Sequence, residues 1–293
     1  MIDDSRGTDA AAPATASVGR TDRDIYRLAP SMDATVLATI ASRLEFRGTD
    51  DGYARLSQAY FRRLPLADAQ RVLTLGCGTG IEVRALRGMT PTGTAIIGLD
   101  HSQTLIDTAR RLTEEQGLSC EVTYQTGDAH DVPYDDGEFD IVVLHTVISH
   151  VDDPLQVLRE ARRVVRPGGT VAVFDGDYAS LTFAHPDHAL AKTIEEKLAQ
   201  LMVANPRIMR DMPRLLREAE LDLVAAEGAL YADIGTSRFW LGAAESYGAL
   251  LSRSGLLPLT VVDGWRAFQT RSADDGTFFG ASNYFTYLTR RPG

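Results

Sequence analysis

Residues 72–80 read VLTLGCGTG, a short strand-forming run followed by glycine at positions 76, 78 and 80. Valine, leucine and threonine are typical of a buried strand, and a helical pattern begins directly after Gly80. Glycine permits positive φ and lets a ligand approach the backbone closely. A strand, a glycine-rich turn and a helix N-terminus together place backbone N–H groups beside a bound ligand. The alternative is a tight turn that binds nothing.

The spacing of these glycines narrows the class of ligand. A dinucleotide site favours G-x-G-x-x-G, whereas residues 76–80 give G-x-G-x-G and Ile81 follows. The compact spacing suits a ligand without a pyrophosphate. The next apolar run ends at Asp100, where an acid can accept hydrogen bonds from the ribose of either NAD or an adenosyl ligand. In the alternative interpretation, Asp100 or Ser102 only caps the following helix.

The remaining pattern predicts an α/β fold. Apolar runs lie at 71–75, 95–99, 120–125, 139–144 and 170–174, and helical patterns lie at 81–87, 102–116 and 154–165. Alternation at this spacing predicts a parallel sheet with helices on both faces. Ligands of such sheets bind at the carboxyl ends of the strands. Further on, we expect helices at 187–203, 206–220 and 237–253, a strand at 221–234 and a β-prone run at 277–291.

Three segments follow from these patterns. Residues 1–21 are small, polar and rich in Pro, Ala and Thr, which predicts a disordered tail. Residues 22–66 predict a helical N-terminal cap, and residues 67–293 form the main domain. Within it, residues 178–205 predict a helical insertion that serves as a lid. The N-terminal helices could also support a homodimer.

Composition excludes several functions. The 44% hydrophobic and 24% charged residues are typical of a globular protein. The net charge of -10 argues against a nucleic-acid partner. The two cysteines belong to no Cys/His cluster, so no zinc site is expected. We expect no membrane span, because no uncharged apolar stretch is long enough, and a cytoplasmic location.

A third motif follows the strand predicted at 120–125. It is Gly127-Asp128-Ala129, in which Asp128 can accept a hydrogen bond from an adenine amino group. An aspartate is also common in an ordinary turn.

Four motifs in order carry a family resemblance: LGCGTG, IIGLD, GDAHDVPYDDGEFDIVV and RVVRPGGTVAVFD. Together they resemble the class I S-adenosylmethionine-dependent methyltransferases, in particular the small-molecule group similar to the ubiquinone/menaquinone-biosynthesis C-methyltransferases. The motifs span about residues 70–176, and the layout extends to about 40–290. The resemblance implies a doubly wound, seven-stranded Rossmann-like sheet of order 3-2-1-4-5-7-6 with the last strand antiparallel. It also implies S-adenosylmethionine as cofactor and a small-molecule acceptor, for which we favour a secondary metabolite.

The resemblance assigns roles residue by residue. Glycines 76, 78 and 80 would line the methionine and ribose parts of the cofactor, Asp100 would hold the ribose, and Asp128 would bind the adenine. The full set of predicted cofactor-binding residues is Arg47, Tyr53, Gly76, Cys77, Gly78, Gly80, Asp100, His101, Asp128, Ala129 and His145. Arg47 would meet the methionine carboxylate, or it lies on a solvated helix face.

Two residues are predicted to act in catalysis. His145 follows the fourth strand, and we expect it at the mouth of the site as a general base. It could equally contact the cofactor without acid–base work. Tyr178, after the fifth strand, would orient the substrate or belong to the lid.

One position departs from the family pattern. Thr74 stands where relatives usually carry an acid that positions the methionine amino group. Either binding survives without that charge, or it is weaker, or another group compensates.

Two other functional classes stay open on sequence alone. A methyltransferase-like enzyme could bind S-adenosylmethionine and catalyse another reaction, such as a cyclisation. A non-catalytic cofactor-binding module is the other class. Asp175, Asp177, His185 and His188 have loose ligand-like spacing, but we expect no metal.

Overall fold

The computed structural model describes residues 34–118, 121–236 and 238–293. The tail predicted at 1–21 and the first part of the N-terminal cap, 22–33, lie outside the described residues. Within the described part of the chain, no helix is long and apolar enough to cross a membrane.

Helices and strands alternate along the chain. The helices are α1 (Ala34–Thr49), α2 (Asp51–Phe61), α3 (Ile81–Arg87), α4 (Gln103–Glu115), α5 (Pro154–Val164), α6 (His188–Met202), α7 (Ile208–Glu218), α8 (Phe239–Ser254) and α9 (Leu259–Asp274). The strands are β1 (Arg71–Leu75), β2 (Ala95–Asp100), β3 (Val122–Thr126), β4 (Phe139–His145), β5 (Val165–Phe183), β6 (Asp222–Gly235) and β7 (Phe278–Arg290). The cap predicted at 22–66 is therefore helical over α1 and α2.

The seven strands form one sheet of order β3-β2-β1-β4-β5-β7-β6. Strands β1 to β5 pair in parallel, and β7 pairs antiparallel with both β5 and β6. The predicted fold class and strand order are confirmed. Parallel pairing brings the carboxyl ends of β1, β2 and β4 to one edge of the sheet, and this edge positions the site.

The central strands are apolar because both faces of the sheet are covered. On one face, Leu73 and Leu75 of β1 share a core cluster with Val157 of α5 and Met212 of α7. On the other face, Val72 belongs to a cluster built from α2, α3, α6 and α8. Helix α1 lies outside this layer and contacts α2, α3 and α4.

The fifth strand is longer than predicted. It extends from Val165 to Phe183 because antiparallel pairing with β7 continues to Phe183, past an irregularity between Asp177 and Thr182. Residues 178–183, expected within the lid, are therefore strand. The helical part of the insertion is α6, whose Ile194 and Leu198 are fully buried in the core. Its role as a lid stays a prediction.

Helix α9 was not predicted. Its buried positions are Val262, Trp265, Gln269 and Ser272, and two of these four are polar. The buried positions have helical spacing. Because half of them are polar, the apolar periodicity that predicts a helix is weak in this segment.

We expect Arg291→Ala to lower the free energy of unfolding by about 1–3 kcal/mol. One guanidinium nitrogen of Arg291 donates to the carbonyls of Arg162, Arg163 and Val165 at 3.1, 2.8 and 2.7 Å. These carbonyls lie at the end of α5, where helical partners are missing. Urea unfolding measures the loss. The exposed neighbour Arg290 provides the control, because Arg290→Ala should change the free energy of unfolding by less than about 0.5 kcal/mol. Equal losses would contradict this assignment.

Candidate active site

A cavity of about 390 Å³ opens at the carboxyl ends of β1, β2 and β4. This volume lies in the range of roughly 300–1,000 Å³ that is typical of small-molecule sites. Its described walls are Leu44, Arg47, Gly76, Cys77, Gly78, Thr79, Ile81, Glu82, Asp100, His101, Leu105, Gly127, Asp128, Ala129, His130, His145, Thr146, Val147, His150, Val151 and Asp152.

The glycine-rich turn after β1 has three glycines with positive φ, and they differ in what surrounds the missing side chain. A Cβ on Gly76 would lie 2.4 Å from Val147, and one on Gly80 would lie 2.3 Å from the Tyr124 hydroxyl. A Cβ on Gly78 would meet only the end of the Leu44 side chain, at 3.0 Å. Gly78 is thus open to close approach by a ligand, whereas Val147 packs over Gly76 and Tyr124 packs over Gly80. Gly80 does not line the cavity.

Asp100 ends β2 and joins it to the glycine-rich turn. Its carboxylate accepts the N–H of Gly78 at 2.8 Å and that of Ser102 at 2.9 Å. Ser102 caps α4 by accepting the N–H of Leu105 at 3.4 Å, so the capping role belongs to Ser102. The remaining lone pairs of the Asp100 carboxylate can accept from a ligand in the cavity, with His101 beside it.

Asp128 and Ala129 follow β3 on the same edge. The Asp128 carboxylate accepts a hydrogen bond from the backbone N–H of His130 at 2.9 Å. The ring nitrogen Nδ1 of His130 lies 2.7 Å from the same carboxylate oxygen. Burial alone would raise the pKa of Asp128, but the contacts with His130 outweigh it and lower that pKa. Asp128 is therefore an ionised acceptor near neutral pH.

His145 ends β4 at the inner wall of the cavity. It is buried, and both ring nitrogens have partners. Nδ1 lies 2.7 Å from the Tyr60 hydroxyl, and Nε2 lies 3.0 Å from the Tyr53 hydroxyl and 3.2 Å from Oε1 of Glu82. The prediction that His145 stands at the mouth of the site is wrong, because α2 supplies two tyrosines that cover the ring.

The contacts of His145 fit a neutral imidazole. In the tautomer protonated on Nε2, the Tyr60 hydroxyl would donate to Nδ1, and the Nε2–H would face the Tyr53 hydroxyl and Glu82. Burial holds the pKa of His145 well below its usual value, and the charge of Arg47 lowers it further. A general base needs a nitrogen within reach of the substrate proton. The geometry favours the non-basic interpretation, and the role as base stays an untested prediction.

Opposite charges meet the inner end of the cavity. Arg47 of α1 donates to Oγ1 of Thr146 at 2.9 Å, so it lies over the site and not on a solvated helix face. Thr146 has φ 52°, an uncommon conformation outside glycine that is typical of functional sites. Glu82 of α3 faces the same end of the cavity.

The cavity collects nine of the residues predicted from sequence: Arg47, Gly76, Cys77, Gly78, Asp100, His101, Asp128, Ala129 and His145. Tyr53 lies behind His145 and stacks on Phe239 with ring centroids 5.6 Å apart. Tyr178 lies beside His150, with ring centroids 6.4 Å apart. Neither tyrosine lines the cavity, and the catalytic role of Tyr178 stays a prediction.

Sequence analysis missed several wall residues, above all Glu82, His130 and His150. Glu82 comes two positions after Gly80, so its proximity to the turn was the available signal. His150 carries no motif of its own, because the loop after β4 decides where it points. The four candidate ligands at 175, 177, 185 and 188 do not come together, since no cluster of three metal-ligating side chains occurs among the described residues.

The chain is similar to known methyltransferases. A family model described as a methyltransferase domain matches residues 73–173. The ubiquinone biosynthesis O-methyltransferase of Thiobacillus denitrificans is 33% identical over 57% of this chain and 67% of its own length. The 27-O-demethylrifamycin SV methyltransferase of Amycolatopsis mediterranei is 31% identical over 43% of this chain and 46% of its own length.

A solved structure shares the fold. It is a protein of Bacillus halodurans provisionally named a methyltransferase, with a TM-score of 0.59 and 19% identity. The match covers 81% of this chain and 99% of that one.

Fold and site define a Rossmann-like protein with a cavity at the carboxyl ends of its parallel strands. The chain belongs to the class I S-adenosylmethionine-dependent methyltransferase family. It spans about half the length of several curated relatives that it matches.

We expect Asp100→Ala to weaken binding of S-adenosylhomocysteine by about 1–3 kcal/mol, because a charged acceptor is lost. The N–H of Gly78 also loses its partner. Isothermal titration calorimetry measures the change. The exposed Asp107 of α4, which contacts Gln103 and Arg110, gives the control. Asp107→Ala should change the affinity less than about twofold, and an equal effect of both substitutions would remove the special role of Asp100.

We expect His145 to stay neutral between about pH 5.5 and 8. This window spans the ordinary histidine pKa of about 6.5. The depressed pKa means that the folded protein takes up no proton at this ring as the pH falls through that window. ¹⁵N-histidine NMR measures the titration, and His145→Gln identifies the signal by its loss. A His145 signal that titrates near pH 6.5 would contradict the buried network.

Proposed function

We propose that this chain is an S-adenosylmethionine-dependent methyltransferase that transfers a methyl group to a small-molecule acceptor, a secondary metabolite. The observation that carries the proposal is the cavity at the sheet edge, where Gly78, Asp100 and Asp128 line one volume. Family membership supports the activity, and the charge of -10 disfavours a nucleic-acid acceptor.

The residues present fit the cofactor. Gly78 leaves room for close approach, since no backbone atom stands over its missing Cβ. Asp100 would hold the ribose hydroxyls, and Asp128 would accept from the adenine amino group, with His101 and Ala129 beside it. The cavity of about 390 Å³ suits a nucleoside with an amino-acid arm.

The bound cofactor supplies an activated methyl group on a positively charged sulfur. The chain must then align the acceptor and exclude water, which is the main source of rate in such a displacement. Arg47 and Thr146 line the inner end of the cavity and are joined by a hydrogen bond. The apolar wall residues Ile81, Val147 and Val151 support an acceptor with aromatic or apolar character.

The names of two relatives support the acceptor class. One acts in ubiquinone biosynthesis as an O-methyltransferase, and the other methylates 27-O-demethylrifamycin SV. Both names specify transfer to oxygen, so hydroxylated small molecules are the first acceptors to test on this chain.

The proposal is tested by mass spectrometry of the purified chain with S-adenosylmethionine and a panel of acceptors. The panel contains 27-O-demethylrifamycin SV and dihydroxylated aromatic compounds. We expect one acceptor to gain the mass of a methyl group in exchange for a proton, with equimolar S-adenosylhomocysteine. Asp100→Ala is the matched control and should reduce product at limiting cofactor.

Two outcomes would overturn the proposal. An acceptor that is isomerised with unchanged mass, while S-adenosylmethionine is retained, would favour the non-methylating enzyme. Tight cofactor binding with no change in any acceptor across a broad panel would favour a binding module.

A further inference from the structure

Thr74 of β1 stands where relatives usually carry an acid, and its side chain does not take over the role of that acid. Its side chain is 1% exposed, and its hydroxyl has no hydrogen-bond partner among the described residues. Thr74 is also absent from the cavity wall. The middle of β1 therefore offers neither a charge nor a directed acceptor to a ligand.

Glu82 offers both from a different element. It lies in the first turn of α3, is 9% exposed, and lines the cavity together with Gly76 and Thr146. Its direct side-chain contact is the Nε2 of His145 at 3.2 Å, which involves Oε1.

A carboxylate in this position needs a cation. Ionised carboxyl groups are rarely buried unless they are paired. Burial raises the pKa of Glu82, and the positive charges of Arg47 and Arg84 only partly offset that effect. Arg84 itself forms a bidentate pair with Glu45 at 2.8 and 2.9 Å. An ammonium group in the cavity would supply the missing direct partner for Glu82.

We infer that Glu82 binds the ammonium group of the cofactor's methionine arm and replaces the acid absent at Thr74. In this arrangement, His145 is a positioning residue, because its Nε2 lies 3.2 Å from Oε1 of Glu82. The Tyr60 hydroxyl lies 2.7 Å from Nδ1 on the other side of the ring. The inference rests on the proposed use of S-adenosylmethionine.

The test compares two ligands by calorimetry: S-adenosylhomocysteine, which carries the amino-acid arm, and 5′-methylthioadenosine, which lacks it. We expect Glu82→Gln to weaken S-adenosylhomocysteine about 10- to 100-fold, the scale of a lost hydrogen bond to a charged group. Affinity for 5′-methylthioadenosine should change less than about twofold, which also shows that the variant is folded.

Thr74 supplies two matched variants. Thr74→Val should leave both affinities within about twofold, because the hydroxyl has no hydrogen-bond partner among the described residues. Thr74→Ser should do the same, because position 74 does not line the cavity.

A comparison in the unaltered chain keeps the inference testable if a variant fails to fold. S-adenosylhomocysteine should bind about tenfold or more tightly than its deaminated 2-hydroxy analogue. Equal binding of the two, or equal weakening of both nucleosides by Glu82→Gln, would overturn the inference and leave the proposed function intact. Absence of any binding of both nucleosides would overturn the proposed function as well.

Discussion

The hydrogen bond between the Gly78 N–H and the Asp100 carboxylate joins the ends of β1 and β2, and the site depends on it. The same carboxylate accepts the N–H of Ser102, so one side chain fixes the glycine-rich turn and the start of α4. Both contacts follow from parallel pairing, which ends the two strands at one edge. A ligand at that edge meets a turn that is already in place, which lowers the entropic cost of binding.

The inner end of the site is a buried polar network, and such networks are stable only when every member is satisfied. Tyr53, Tyr60 and Glu82 all contact the ring of His145. Burial raises the pKa of both tyrosines well above the usual value, so both hydroxyls stay protonated near neutral pH. Helix α2 thus contributes to the site without lining it. The network couples the N-terminal helices to the end of β4.

Much of this arrangement could be predicted from sequence because it is local. The turn at 76–80, the acid at the end of β2 and the motif at 127–129 each follow their strand directly, so strand order alone places them at one edge. The sequence could not show that Gly80 packs on Tyr124, since that contact joins α3 to β3 through tertiary packing. The environment of His145 was missed for the same reason, because its partners lie 63 to 92 positions away in the chain.

We propose that the compact glycine-rich turn and Asp100 form an adenosyl site and not a dinucleotide site. Paired calorimetric titrations of the purified chain with S-adenosylhomocysteine and with NAD test it most directly. We expect saturable binding of S-adenosylhomocysteine and no heat of binding with NAD. Tight binding of NAD together with no response to S-adenosylhomocysteine would contradict it.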